Sequence, residues 1–234
     1  MTELKGKTAV ITGGGTGIGA GIAKALAAEG INVVLAGRRV EKLAEVEKDI
    51  LREGAGKALS VKTDVTNRAD IESLIERAEK QFGQVDIIVN NAGHMLSSQV
   101  SAGQVDDWEK MIDVNIKGVL FGINSVLPAM MERSSGHIVN VGSVAGLEVS
   151  KNSTVYSATK FAVRAISAGL EKELAKTGIR VTNIAPGMVE TDLTADYSWG
   201  DRKKLETENI ANAVIYALTQ PDHVNVNEIA VRPV

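Results

Sequence analysis

The chain has 234 residues, of which 44% are hydrophobic and none is cysteine, and it carries a formal net charge of −3. That length suits one domain over residues 1–234 with a sizeable core, while the missing cysteines exclude disulfides, thiolate nucleophiles and cysteine metal sites. The weak negative charge without a basic run argues against nucleic acid. No uninterrupted apolar stretch of bilayer length or apolar leader stands out, so a cytoplasmic protein with no membrane partner is expected.

Strand-like and helix-like segments alternate along the whole sequence. Short β-branched runs predict strands at 7–12, 31–36, 58–63, 85–90, 136–141, 180–185 and 228–231. Amphipathic or alanine-rich stretches predict helices at 17–29, 40–52, 68–82, 104–133, 153–176 and 204–219. Repeated β-α units with right-handed crossovers imply an α/β fold, a doubly wound (Rossmann) parallel sheet of about seven strands with helices on both faces. His94, His137 and His223 show no ligand spacing, read as surface or loop residues, and leave no metal site to expect.

The first β-α turn reads Thr12-Gly13-Gly14-Gly15-Thr16-Gly17-Ile18-Gly19. Glycines directly after a strand and opening a helix let backbone approach a pyrophosphate and turn helix N–H groups toward the anion. At the end of the second strand, where an NAD binder needs a carboxylate for the ribose 2′-hydroxyl, the chain has Gly37-Arg38-Arg39. Guanidinium groups match a 2′-phosphate by charge and fork geometry, so NADP is expected ahead of NAD, with Glu41 leaving NAD open. Asp64-Val65 after the third strand offers a carboxylate and a backbone N–H to an adenine. Asn90-Asn91-Ala92-Gly93 ends the fourth strand at the same sheet edge, beside the cofactor ribose.

Tyr156 and Lys160 lie four residues apart in the 153–176 helix and so share one of its faces. Bringing a phenol from its usual pKa near ~10 to about 7 takes roughly 4 kcal/mol, and an ammonium at ~5 Å in an effective dielectric of ~20 supplies about 3. The pair can therefore make tyrosine a proton-transfer catalyst. Ser143, in Gly142-Ser143-Val144-Ala145-Gly146, lacks the G-x-S-x-G spacing of a hydrolase elbow.

Taken together, the glycine-rich turn, Asn90 to Gly93, Asn115, Ser143, the Tyr156/Lys160 pair and Pro186-Gly187 resemble the short-chain dehydrogenase/reductase family in order and spacing over essentially the whole chain. The resemblance implies that Tyr156 is the general acid in carbonyl reduction and the general base in alcohol oxidation. Lys160 would lower the phenol pKa and hold the nicotinamide ribose, Ser143 would hydrogen-bond the substrate oxygen, and Asn115 would anchor a water linking Lys160 to solvent. Pro186, Gly187, Val189 and Thr191 would receive the nicotinamide carboxamide. Met95, Leu147 and Met188 would line the pocket, and Leu193, Tyr197 and Trp199 would supply a lid or a subunit contact. Ala158, Phe161, Ala165, Ala168 and Gly169, opposite Tyr156, imply a homodimer or homotetramer.

The ending Val224-Asn225-Val226-Asn227-Glu228-Ile229 is similar to the branch acting on 3-hydroxy acids and serine with NADP. It implies an oxidoreductase for small secondary alcohols and carbonyls. The alternatives are a 3-oxoacyl carrier-protein reductase, which Glu132-Arg133-Ser134-Ser135 serves poorly as a dock for an acidic carrier, and a non-catalytic NADP-binding sensor. An epimerase or dehydratase of the extended relatives needs a further substrate region for which 234 residues leave no room.

Overall fold

The computed structural model describes residues 3–195 and 203–234. Among them, strands β1 (Thr8–Thr12), β2 (Asn32–Gly37), β3 (Ala58–Lys62), β4 (Ile87–Asn90), β5 (Gly136–Val141), β6 (Ile179–Pro186) and β7 (Glu228–Val231) alternate with helices. The helices are α1 (Gly17–Ala28), α2 (Val40–Glu53), α3 (Arg68–Phe82), α4 (Val105–Ile112), α5 (Gly118–Glu132), α6 (Thr154–Glu173) and α7 (Thr207–Thr219). Most boundaries fall within two residues of those read from the sequence. The helical stretches expected over 104–133 are α4 and α5, joined by a π-wound turn over Asp113–Lys117. That 28-residue run is long and apolar enough to cross a membrane by length and composition. Its apolar stripe of Val119, Ile123, Val126 and Met130 is instead spent on the sheet.

All seven strands are parallel, in the order β3-β2-β1-β4-β5-β6-β7. Parallel strands buried on both faces read as continuous apolar runs, and β1, with every residue buried, is the plainest case. Ile11, Leu35 and Val139 point to the layer of α1, α2 and α7, while Val10, Val34 and Ile138 point to the layer of α3, α5 and α6. The order reverses between β1 and β4, which opens a crevice at the carboxyl edge of the sheet where ligands of such folds bind. Tyr197, Trp199 and Asp201 lie outside the described residues. Leu193 is exposed in a short 3-10 turn over Asp192–Thr194.

A row of polar side chains crosses the α5/α6 face of the sheet, because Asn90, Asn140, Asn183 and Glu228 are in register on adjacent strands. Asn90 Nδ2 donates to Asn140 Oδ1 at 2.9 Å, Asn140 Nδ2 donates to Ser167 Oγ of α6 at 2.9 Å, and Asn183 Nδ2 donates to Glu228 Oε2 at 3.0 Å. Arg164 of α6 closes the row with a two-point ion pair to Glu228 at 2.7 and 3.1 Å. The row seats α6 at two successive turns. On the opposite face Arg180 donates to the carbonyls of Ala217, Leu218 and Gln220, placing a cation at the C-terminus of α7 where the helix dipole favours it.

His137 is not at the surface or in a loop, as the sequence suggested, but is 2% exposed within β5. Its Nε2 meets Thr182 Oγ1 at 2.8 Å, and burial, with smaller contributions from Arg180 and Lys7, pushes its pKa down to about 3. A short apolar strand run hides such a residue because its neighbours on the chain decide burial.

Two sets of variants test this packing. A methyl on Gly122 would fall 2.2 Å from Asn90 Oδ1, whereas one on Gly169 meets nothing within 4 Å. Gly122→Ala should therefore lose about 1–3 kcal/mol in urea unfolding and Gly169→Ala should gain about 0.5–1; equal effects would overturn the packing described. For His137 the folded pKa lies below the unfolded value of 6.5. The unfolded chain thus binds the extra proton, and stability falls as pH drops from about 6.5 toward 3, at up to roughly 1.4 kcal/mol per pH unit. Unfolding titrations at pH 7, 6 and 5 should show a shallower slope for His137→Gln, and parallel slopes would refute the assignment.

Candidate active site

β1 delivers the chain to the crevice at Thr12, and the turn that follows is built from backbone. Gly13 and Gly17 take positive φ of 67° and 54°, and a Cβ on Gly19 would stand 2.2 Å from Gly13 O. Only hydrogen fits there. Thr16, the N-cap of α1, makes no side-chain capping bond, so the N-terminal N–H groups of α1 have no side chain capping them. Backbone this bare at a helix N-terminus fits the pyrophosphate of a dinucleotide. Gly15 packs on Leu43 and Lys42 of α2, and Ile18 packs against the core below.

Thr12 opens the turn quoted from the sequence, but the role of its hydroxyl was missed there. Its hydroxyl accepts from the N–H groups of Asn91 and Ala92 at 3.0 and 3.1 Å, while Asn91 Nδ2 donates back to Thr12 O at 2.9 Å and Gly13 O at 3.4 Å. The Asn91 amide, expected beside a ribose, is engaged in holding the glycine turn to β4. A hydroxyl at the last position of β1, directly before Gly13, was the available signal.

On the β2 side of the crevice, Arg39 Nη2 donates to Thr16 Oγ1 at 3.0 Å, which brings its guanidinium over the glycine turn. Arg38 is exposed beside it. Asp64 Oδ1 accepts from the Thr66 N–H at 3.0 Å and hydroxyl at 2.8 Å, and Asn67 rather than Asp64 caps α3. Burial is the largest influence on Asp64 and pushes its carboxyl up, but the two Thr66 bonds and the Arg38 charge outweigh it and hold the pKa below the usual value. Val65 is buried against Gly118. His94 has its pKa lowered by burial first and then by Arg38 and Lys110.

At the other end of the crevice, α6 brings Tyr156 and Lys160 inward, 9% and 6% exposed. Lys160 Nζ donates to Val141 O at 2.9 Å and stands 5.9 Å from the centre of the Tyr156 ring. Burial alone lowers the Lys160 pKa to about 8. Ser143 leaves β5 in extended backbone and caps a short 3-10 turn over Val144–Gly146, accepting from Ala145 N–H at 3.1 Å. Its own hydroxyl reaches Pro186 O only at 3.5 Å, a marginal bond. Gly146 lets this turn lie against α6, since a Cβ there would be 2.6 Å from Lys160 O.

Asn115 sits in the π-wound turn, 1% exposed. Its Oδ1 accepts from His94 N–H at 2.7 Å, and its Nδ2 donates to His94 O at 2.9 Å and to Thr159 Oγ1 at 3.0 Å. These bonds satisfy the side chain from protein alone. Gly93, just before His94, has both Asn115 and Lys160 as neighbours, because a Cβ there would lie 3.6 Å from Asn115 Oδ1 and 3.7 Å from Lys160 Nζ.

β6 ends at Pro186, and Gly187 N–H donates to Val231 O at 2.7 Å. Val189 is buried and bridges to Leu205, while Thr191 caps the Asp192–Thr194 turn with its methyl against Gly17. Thus the Pro186–Thr191 segment meets the glycine-rich turn across the mouth of the crevice. Met188 is buried, and Met95 and Leu147 are half-buried.

Comparison with known proteins agrees with this geometry. Residues 7–201 match the short chain dehydrogenase family. An uncharacterised oxidoreductase of Staphylococcus saprophyticus is 56% identical over 234 residues, all of both chains. Among solved structures, the closed form of a serine dehydrogenase complexed with NADP+ is 35% identical with a TM-score of 0.86, covering 96% of this chain and 94% of that one. An alcohol dehydrogenase from the archaeon Thermococcus sibiricus, complexed with 5-hydroxy-NADP, is 28% identical with a TM-score of 0.90 over 97% of each chain. With the glycine turn, Ser143, Tyr156 and Lys160 at one sheet edge, the chain belongs to the short-chain dehydrogenase family and is an oxidoreductase acting on CH–OH groups.

Proposed function

We propose that the chain, acting as one dinucleotide-binding and catalytic domain, interconverts small secondary alcohols and carbonyls with NADP, and that 3-hydroxy acids are among its substrates. The observation that carries this reading is the buried Lys160 ammonium one helical turn from Tyr156. The ammonium, 5.9 Å from the centre of the Tyr156 ring, favours the charged phenolate over the neutral phenol. With a pKa of about 8 it still holds its proton at neutral pH. The phenol can then take the alcohol proton in oxidation and return it to the carbonyl oxygen in reduction.

Gly13, Gly15, Thr16, Gly17, Ile18 and Gly19 would hold the pyrophosphate, Arg38 and Arg39 the 2′-phosphate, Asp64 and Val65 the adenine, and Asn91, Ala92 and Gly93 the ribose. Pro186, Gly187, Val189 and Thr191 would hold the nicotinamide end. The dinucleotide bound there supplies or accepts the hydride. Ser143, whose O–H has only the marginal contact to Pro186 O, is positioned to exchange it for the substrate oxygen and stabilise developing negative charge. Asn115 acts by fastening Gly93 and His94 beside Lys160.

A cytoplasmic homotetramer or homodimer is the assembly we infer. Phe161, Ala165 and Ala168 are exposed on α6 opposite the catalytic pair. Arg164 and Glu171, of opposite sign on the same groove, suit a two-fold contact in which each copy presents the same surface to the other.

Assays of NADPH and NADH oxidation with ketones, aldehydes and 3-oxo acids, and of the reverse reaction with serine and 3-hydroxy acids, should show turnover preferring NADPH. Tight NADPH binding with no turnover on any substrate would favour a sensor. Tyr156→Phe should lose at least a hundredfold in kcat with NADPH affinity retained, and a variant of undiminished activity would remove the acid/base role. Arg38→Ala combined with Arg39→Ala should weaken NADPH at least tenfold more than NADH; equal losses would remove the 2′-phosphate assignment.

A further inference from the structure

Arg232 follows β7 directly and lies outside every motif that marks the site. Its backbone rests on Gly187, in the segment at the mouth of the crevice: Gly187 N–H donates to Val231 O at 2.7 Å, and a Cβ on Gly187 would stand 3.4 Å from Arg232 Cα. From there the side chain runs toward the turn that carries Ser143, where Nη1 donates to Glu148 Oε1 at 2.7 Å. Glu148 is tied to that turn, because its N–H donates to Val144 O at 3.1 Å. In the sheet β6 lies between β5 and β7, so the ends of the outer two are roughly 10 Å apart. Arg232 and Glu148 together bridge that gap, past the end of β6 at Pro186, whose carbonyl faces the Ser143 hydroxyl.

The contact with Glu148 does not use up the cation. It is a one-point bond, unlike the two-point pair of Arg164 and Glu228, and a guanidinium carries five N–H groups in a planar fork. The two side chains are 50% and 62% exposed, and an ion pair so open to water adds little to stability. A second carboxylate can therefore share or displace Glu148 at small cost, with bidentate geometry in its favour. Met95, Leu147 and Met188, expected to line the pocket, carry no charge, and Lys160 Nζ is engaged by Val141 O. A 3-hydroxy acid whose hydroxyl lies at Ser143 and Tyr156 carries its carboxylate a short way beyond them. A cation tethered to the Ser143 turn is the complement such a group needs.

We propose that Arg232 is a specificity residue that binds the carboxylate of a 3-hydroxy acid substrate, and that Glu148 competes with that carboxylate for the same guanidinium. The inference rests on the reading that 3-hydroxy acids are turned over. It sets opposite expectations for the two members of one ion pair. Loss of the Arg232 charge weakens the anionic substrate, whereas loss of the Glu148 charge frees the fork and strengthens it. A pair that only braced the Ser143 turn would lose the same contact in either variant, and both changes would then act in one direction.

The experiment measures kcat and KM with saturating NADP+ for wild type, Arg232→Gln, Arg232→Lys and Glu148→Gln, at low and at high sodium chloride. The substrates are the 3-hydroxy acid of the assay panel with the highest kcat/KM and its methyl ester, which keeps the hydroxyl and lacks the charge. Arg232→Gln should raise KM for the acid about five- to fiftyfold with kcat within about threefold, the pattern of a lost binding contact, and should shift KM for the ester by less than about threefold. Arg232→Lys, which keeps the charge without the fork, should fall between. Glu148→Gln should lower KM for the acid about two- to fivefold and change that of the ester less. Added salt should raise the wild-type KM for the acid and have little effect on Arg232→Gln.

An unchanged KM for the acid in Arg232→Gln overturns the proposal, as does a loss shared equally by acid and ester. A rise in Glu148→Gln as large as that in Arg232→Gln reduces the pair to a brace, and no change in Glu148→Gln removes the competition. In each of these cases the wild type still turns over the acid, so the substrate reading stands. If the wild type turns over neutral alcohols and no 3-hydroxy acid, that reading fails and the role of Arg232 fails with it.

Discussion

Keeping one ammonium out of water is the constraint on which the active site depends. Among the described residues Lys160 gains no carboxylate partner for its burial; burial lowers its pKa, and the bond it makes there is to a neutral carbonyl. A buried charge without a counter-charge is unfavourable, and the protein carries that cost beside the tyrosine for which we propose the acid/base role. The rest of the site limits what the charge can reach. Val141 O holds the head of the side chain, Gly146 allows the Ser143 turn to close over its backbone, and Gly93 leaves room beside Nζ.

Fixing that charge requires that α6 does not slide, and the sheet supplies polar contacts for this beside the apolar packing of Val163 and Leu170. Ser167 and Arg164 connect α6 to Asn140 and Glu228, two members of a row that crosses four strands in register. Apolar packing tolerates small displacements, whereas hydrogen bonds lose strength steeply with angle. The row also explains two glycines whose backbone angles do not require them. A Cβ on Gly122 would meet Asn90 Oδ1, and one on Gly142 would stand 2.6 Å from Asn183 Oδ1.

Much of this was legible in the sequence because the fold repeats one local pattern. Strand runs and the helices between them follow from periodicity, and in a parallel doubly wound sheet every strand ends at the same edge. The glycine turn, Asp64, the Asn90 to Gly93 segment, Ser143 and Pro186 therefore had to gather there once the strands were assigned. What stayed hidden depends on register and helix type. The π-wound turn at Asn115 has the same letters as regular helix, and that Thr159 meets the Asn115 amide follows only from how that turn is wound. His137 looked polar and external because nothing local announces that Thr182 stands beside its ring.

Asn115 and Asn225 share a geometry whose consequence reaches beyond the site. Each amide engages both backbone groups of one residue, besides a bond to a further side chain: Asn115 with His94, and Asn225 with Val181 N–H at 2.8 Å and Val181 O at 3.0 Å. In both places a side-chain amide pairs with backbone as a peptide group would. Aspartate has nearly the same size and shape, but it would set an oxygen against a carbonyl where an N–H now donates. At these two positions the chain distinguishes an amide from a carboxylate by hydrogen-bond polarity alone, so hydrolysis of either amide would alter the backbone pairing while leaving the outline of the protein intact.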